Sequence, residues 1–289
     1  MISLDRILFP VDLSEQSRLA APFVAAMAKR FHAKVTMLHV FEVPAVWYGP
    51  PEGVPWAELS ATDQFREERR AEFESFLMDE FSGVPVVREI VDGDPAAQID
   101  CYASTGKFGL IMMPTHGYGP FRRLLLGSVT AKVLHDAKCP VWTGVHTKAM
   151  ASHDAVRCRR VLCAVDTDPK DLHVIQWAMD FAGRLDLGTE LHLVHAIPGA
   201  EIGARSDACF REFLFKVARE DMKKLLDEAN VHLAATFHGG KPDRVVHDAA
   251  VDVGADLIVI GRGVEHGLGR LRNDAYGIIR EAPCPVISV

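Results

Sequence analysis

The sequence predicts an α/β protein made of two tandem domains, each a parallel sheet flanked by helices. Short apolar runs alternate with longer segments of helical periodicity. That alternation passes along the chain twice, with matching landmarks in the same order. In the first pass one apolar run, Leu110-Ile111-Met112-Met113, leads through a glycine-containing turn into another apolar helical segment. Such a turn is where α/β proteins hold anions on backbone N–H groups.

In the first repeat the expected strands are 5–11, 35–41, 84–91, 109–114 and 140–145. They are short apolar runs of the kind buried in a parallel sheet. Ser14 is placed to cap a helix that carries Leu19, Phe23, Ala26, Met27 and Arg30 at helical spacing. A second helix is expected over 62–81, rich in Glu and Arg, with Phe65, Phe73, Phe76 and Leu77. A third is expected over 95–106, where Pro95 suits a first helical turn. A fourth begins near Ser128.

The second half repeats the scheme. Its strands are expected at 160–166, 190–196, 231–237, 256–261 and 285–289, and its helices at 171–185, 207–229, 242–253 and 274–281. Arg6-Ile7-Leu8-Phe9-Pro10-Val11-Asp12 returns as Arg160-Val161-Leu162-Cys163-Ala164-Val165-Asp166. Gly93-Asp94-Pro95 returns as Gly240-Lys241-Pro242, and Cys139-Pro140-Val141 as Cys284-Pro285-Val286. Two homologous domains follow, 1–146 and 158–289, joined by a polar seam over 145–157. Each has the length of one typical domain.

Composition excludes several classes. Hydrophobic residues make up 48% of the 289, ample for two cores. No apolar run is long enough to span a membrane, and no secretory signal pattern stands at the N-terminus. The net charge of −7, with no basic run, argues against a dedicated nucleic-acid binder. The six cysteines form neither a CxxC pair nor a zinc-finger spacing, which fits reduced thiols in the cytoplasm.

Residues 114–130 are the most informative stretch. A strand end at Thr115-His116-Gly117 and a helix start at Gly127-Ser128 enclose nine residues, 118–126. The stretch resembles the nucleotide motif of the universal stress protein family. ATP-binding members of that family carry a Gly, two residues, a Gly, nine residues, then Gly-Ser or Gly-Thr. Gly117 and Gly127-Ser128 match, whereas Pro114 replaces the first glycine and lacks an N–H to donate. The resemblance covers both halves and implies Rossmann-like domains of the adenine nucleotide alpha hydrolase type. Each would have five parallel strands in the order 3-2-1-4-5.

Ligands in such sheets bind beyond the carboxyl ends of the strands, where the order reverses. That places Pro10, Val11 and Asp12 opposite Met113, Pro114, His116 and Gly117 across one crevice. The resemblance implies that Asp12 contacts the nucleotide and that the Val40 backbone meets the adenine. Asp12 could instead cap or brace the turn before Ser14. His116 could touch phosphate or ribose, or only shape its loop. Gly127, Ser128, Val129 and Thr130 would offer the phosphates their backbone; Ser128 could be merely an N-cap, and capping and phosphate binding are compatible because both use the same helix terminus. Arg122 and Arg123 could reach a triphosphate. ATP, together with Mg²⁺, is the expected ligand.

The second repeat keeps Asp166 but has Val264 for the motif's second Gly and Asp274-Ala275 for Gly-Ser. A carboxylate at a helix start would compete for the phosphate-binding N–H groups, so no ATP is expected there. Residues 44–60, with four prolines, Trp47, Tyr48 and Trp56, read as an irregular loop: a fold-back over its own domain, a crevice lid or a dimer contact. Relatives pair through their last strands, so 140–145 and 285–289 are the expected join of a pseudo-dimer within the chain. Association of two chains into a homodimer would bury further apolar surface.

No catalytic constellation is present: there is no GxSxG, HExxH or lysine-bearing phosphate loop. Binding is therefore favoured over turnover. A nucleotide-binding stress protein and a nucleotide-free scaffold both stay open. Slow ATP hydrolysis, which needs only Mg²⁺ and an ordered water, is a third reading.

Overall fold

The computed structural model describes residues 2–42, 57–115, 126–144, 158–185, 188–201, 208–262 and 270–289, with only the backbone for 57–65, 170 and 270–273. The described residues fall into two compact units. One takes in the described residues from Leu4 to Thr115 and from Gly127 to Cys139; the other takes in Ile2, Ser3, Leu126 and the described residues from Pro140 to Val289.

In the first unit, β1 (Arg6–Pro10) lies between β2 (Lys34–Phe41) and β4 (Leu110–Pro114), and β3 (Val86–Asp92) lies outside β2. All three pairings are parallel, with Ile7 opposite both Val35 and Leu110. Ile7, Leu8 and Phe9 are all fully buried. Consecutive strand residues point to opposite faces, so both faces of β1 are covered. This is the expected order 3-2-1-4.

α1 (Glu15–Phe31) starts where the sequence places it. The Ser14 hydroxyl accepts the Ser17 N–H, Glu15 lies in the first turn, and Lys29 and Arg30 lie in the last. These charges complement the helix dipole. His32 closes the helix in the left-handed region at φ 52°. The buried face comprises Ala20, Ala21, Phe23, Val24, Met27 and Ala28. α3 (Pro95–Thr105) opens with Pro95 in its first turn, and the Asp94 carboxylate accepts the Ala97 N–H.

α2 (Ala57–Ser75) differs from expectation at both ends. It begins inside the segment expected to be irregular, because the prolines stop at Pro55 and Ala57-Glu58-Leu59 favour a helix. It ends at Ser75 because Arg88 on β3 donates to the carbonyls of Phe73 and Phe76, at 2.9 and 2.7 Å. A guanidinium from a neighbouring strand thus caps the helix, with its cation also 5.6 Å from the Phe73 ring centre. Residues 44–56, with Trp47, Tyr48 and Trp56, lie outside the described residues.

In the second unit β6 (Arg160–Ala164) lies between β7 (Glu190–Ile197) and β9 (Leu257–Ile260). β8 (Ala235–Gly239) lies outside β7, and β10 (Val286–Ser288) outside β9, all parallel. This reproduces the order 3-2-1-4-5. β5 (Val141–Gly144) joins the far side of β10 and runs antiparallel to it, with Trp142 opposite Ile287. The Thr143 and Ser288 hydroxyls donate to the carbonyls of Val286 and Val141. The expected pairing of last strands is therefore present within the chain.

Two elements of this unit shift against expectation. β8 begins at Ala235 rather than 231. Asn230 takes the left-handed region at φ 53°, and the Val231 N–H returns to the Leu226 carbonyl. The apolar Val231 therefore seals the end of α6 (Ala208–Glu228) instead of entering the sheet. The last helix starts at Arg270 rather than 274. The remaining helices, α5 (Leu172–Leu185) and α7 (Pro242–Val253), match expectation to within a residue. The last helix becomes α8 (Arg270–Glu281).

Candidate functional site

β1 and β4 are neighbours in parallel register, so their carboxyl ends lie side by side. From β1 the chain turns to β2 on one side, while β4 lies on the other. This is the reversal point at which a crevice opens.

The β1 edge is built from Pro10, Val11 and Asp12. Val11 is buried and donates its N–H to the Leu38 carbonyl. Asp12 is half-buried, and its Oδ1 accepts from the Ser14 N–H at 3.0 Å and the Ser17 hydroxyl at 2.8 Å. One carboxylate oxygen thus braces the turn, which is the local role considered for Asp12. Between these residues Leu13 sits in the left-handed region at φ 61°, with its side chain buried. A non-glycine residue there costs roughly 1–2 kcal/mol, and the Asp12–Ser14–Ser17 hydrogen bonds hold it in place. Neither Ser17 nor Leu13 was expected as part of the site. The Ser14-x-x-Ser17 spacing after Asp12 was the available signal.

On β2, Val40 is half-buried beyond His39. The His39 Nδ1–H donates to the Val11 carbonyl at 2.8 Å, and the ring stacks on Phe73 at 5.6 Å between centres. His39 ties the two strand ends together.

The β4 edge is Met113, buried, and Pro114, half-buried. α4 (Ser128–Asp136) faces it across the turn. The Gly127 N–H donates to the Thr115 carbonyl at 2.9 Å, and the Thr130 hydroxyl donates to the Pro114 carbonyl at 3.2 Å. His116 and Gly117, with Arg122 and Arg123, lie outside the described residues.

The N-cap of α4 is Gly127, not Ser128, and no side chain caps it. Ser128 is the first helical residue and is exposed. The contrast with α1 and α3 is direct. Ser14 takes the Ser17 N–H in α1, and Asp94 takes the Ala97 N–H in α3. The equivalent N–H in α4 belongs to Thr130. Among the described residues, the first intrahelical bond is Ala131 N–H to the Gly127 carbonyl. The N–H groups of Ser128, Val129 and Thr130 therefore have no intrahelical acceptor and lie at the positive end of the helix dipole. Such an end receives an anion without any lysine.

The second repeat copies the scaffold and changes the charge. The His195 Nδ1–H donates to the Val165 carbonyl at 2.9 Å, as His39 does to Val11. Asp166 stands in the place of Asp12, but its own N–H is taken by the Asp171 carboxylate at 3.0 Å. Burial raises the Asp171 pKa above its ordinary value, and the nearby Asp166 and Asp168 add to the rise. Burial also raises that of Asp274, with further contributions from Asp243 and Asp166. Asp274 lies a full turn inside α8 rather than at its start. It therefore does not compete for the terminal N–H groups, contrary to the expectation from sequence. It acts through the field it shares with Asp166 and Asp243. Val264 and Gly263 lie outside the described residues. Among the described residues no group of three His, Cys, Asp or Glu could hold a metal ion, and no helix is long and apolar enough to cross a membrane.

Comparison with known proteins agrees with this duplicated geometry. The model of the universal stress protein family matches the chain twice, over residues 3–143 and 157–289. A universal stress protein of Methanocaldococcus jannaschii is 35% identical over 137 residues, covering 47% of this chain and 79% of its own length. One of Thermus aquaticus is 32% identical over 140 residues, covering 47% of this chain and 94% of its own length. Each match has the length of one repeat. In solved structures, a universal stress protein of Archaeoglobus fulgidus is similar over 98% of this chain and 95% of its own, with a TM-score of 0.65 and 21% identity. At that identity the likeness establishes the fold. The chain belongs to the universal stress protein family, whose domain it carries twice in tandem.

Proposed function

We propose that the first repeat binds ATP, carried with Mg²⁺, and that its occupancy serves a regulatory role in a stress response in the cytoplasm. The observation that carries this reading is the open N-terminus of α4. Val129 and Thr130 are the positions whose N–H groups an N-cap side chain would otherwise accept, and Gly127 supplies none. The triphosphate would lie against these groups and Gly117. Adenine would lie toward Asp12 and the Val40 backbone. The outer carboxylate oxygen of Asp12 is the atom left to meet a ribose hydroxyl, since Oδ1 serves Ser14 and Ser17. The domain division at 1–146 and 158–289 belongs to the same proposal, with the second repeat binding no triphosphate because its crevice is acidic.

A nucleotide-free scaffold is the second reading, and Pro114 favours it, since proline removes one backbone donor from the motif. Calorimetric titration of Mg·ATP into nucleotide-stripped protein separates the two. One site per chain is expected. Two sites would refute the assignment of the second repeat, and no binding would leave the scaffold reading in place. Turnover in the same sample, measured against Gly127→Asp, tests slow hydrolysis.

A further inference from the structure

The Thr130 side chain faces away from the nucleotide that its backbone would meet. It is only 4% exposed, and its hydroxyl donates to the Pro114 carbonyl at 3.2 Å. Beside it the Gly127 N–H donates to the Thr115 carbonyl at 2.9 Å. Two successive carbonyls at the end of β4 are thus bound by the cap and the third helical residue of α4. The join holds the first helical turn against the strand end. Pro114 takes part through its carbonyl, which proline keeps although it lacks an N–H. The residue that departs from the family glycine is the one that accepts the clip.

We propose that Thr130 is a positioning residue: its hydroxyl, anchored on the Pro114 carbonyl, orients the N–H groups of Ser128, Val129 and Thr130 toward a phosphate. This rests on the ATP reading of the same crevice. Preorganised donors need no reordering when the ligand arrives, and that saving enters affinity directly. Without the hydroxyl the first turn, which lacks a side-chain cap, loses one of its two described ties to the end of β4 and frays more readily.

Thr130→Val removes the hydroxyl while keeping the branched shape, and Thr130→Ser restores the hydroxyl. Two measurements on the full chain keep the clip separate from the ATP assignment. The first is amide hydrogen exchange in nucleotide-free protein. Exchange at Gly127 and Ala131 is expected to accelerate about tenfold in Thr130→Val and to stay near wild type in Thr130→Ser. The second is calorimetry with Mg·ATP. Thr130→Val should bind about tenfold more weakly, with Thr130→Ser close to wild type. Unchanged exchange in Thr130→Val would overturn the clip whatever ATP does. Faster exchange with undiminished ATP affinity would overturn its positioning role. If wild type shows protected Gly127 and Ala131 amides but binds no Mg·ATP, the positioning role falls together with the ATP reading, and the clip survives only as a structural contact. A general loss of fold in Thr130→Val would appear as faster exchange throughout the first unit. The hydroxyl would then be a packing requirement, and the proposal would be refuted.

Discussion

Gly127→Asp should strengthen the fold while removing nucleotide binding. Gly127 is the N-cap of α4 with φ −59° and ψ 143°, a conformation open to any L-residue. An aspartate there can accept the N–H of Val129 or Thr130, as Asp94 does for Ala97 in α3. Replacing glycine by a good N-cap contributes a few tenths of a kcal/mol. A carboxylate at a helix N-terminus adds about 0.3–1 kcal/mol. Replacing glycine where φ is negative adds about 0.4–1 kcal/mol through the unfolded chain. The net expectation is about 1 kcal/mol, or a melting point higher by about 2–4 °C. The phosphates meanwhile lose one or two charge-assisted hydrogen bonds, each contributing about 1.5–3 kcal/mol, and gain a repulsive neighbour. Affinity for Mg·ATP should fall by about a hundredfold or more. Differential scanning calorimetry and isothermal titration on one preparation read both. The opposite signs matter, because a misfolded variant loses both properties together. A variant that melts lower would contradict the N-cap reading of Gly127, and one that binds Mg·ATP like wild type would refute the assignment of this helix end as a phosphate site.

Other perturbations test the scaffold. Asp94→Ala removes the cap of α3 and the Lys132 ion pair and should cost about 1 kcal/mol in denaturant unfolding at neutral pH. The Ala97 N–H, followed by Lys132, depresses the Asp94 pKa below its ordinary 3.8. A depressed carboxylate stabilises the fold above 3.8 and loses that contribution as pH falls through its folded value, so mutant and wild-type stabilities should converge below pH 3.8. Asp274 has the opposite sign. Its pKa is raised, so its charge opposes folding at neutral pH and the penalty fades as pH falls toward 3.8. Asp274→Asn should therefore raise the melting temperature at pH 7 and leave it nearly unchanged near pH 4. Arg88→Met should cost about 2–4 kcal/mol, because the Phe73 and Phe76 carbonyls lose a charged donor. Urea unfolding reads it, and a loss below 0.5 kcal/mol, the size of an ordinary surface change, would contradict a capping role.

How far the sequence could be read depended on the range of the interactions involved. α1 and α3 were legible because Ser14 and Pro95, the residues that mark their starts, stand next to or within the first turn of each helix. The end of α2 was not, because its capping group arrives from β3, with Arg88 reaching Phe76 from twelve residues away. Val231 reads as a strand residue by composition, yet its contact with the end of α6 depends on the left-handed turn at Asn230. At the site, the resemblance singled out Asp12 and Gly127-Ser128. It did not reveal that Asp12 commits one oxygen to Ser14 and Ser17, or that Gly127 rather than Ser128 occupies the cap. Ser128 satisfies the composition rule for a cap, and only backbone geometry assigns the position.

The sequence by itself determined the duplicated α/β plan, the strand runs, the capped helices and the family. All of these depend on periodicity and on residues adjacent in the chain. The tertiary structure decided that β5 pairs antiparallel with β10 and that the β4 carbonyls anchor α4. It also decided that Asp274 acts through the field it shares with Asp243 and Asp166 rather than by capping. Each of these is a contact or a field between groups far apart in sequence. Its strength depends on distance and burial, which come into being only once the chain has folded.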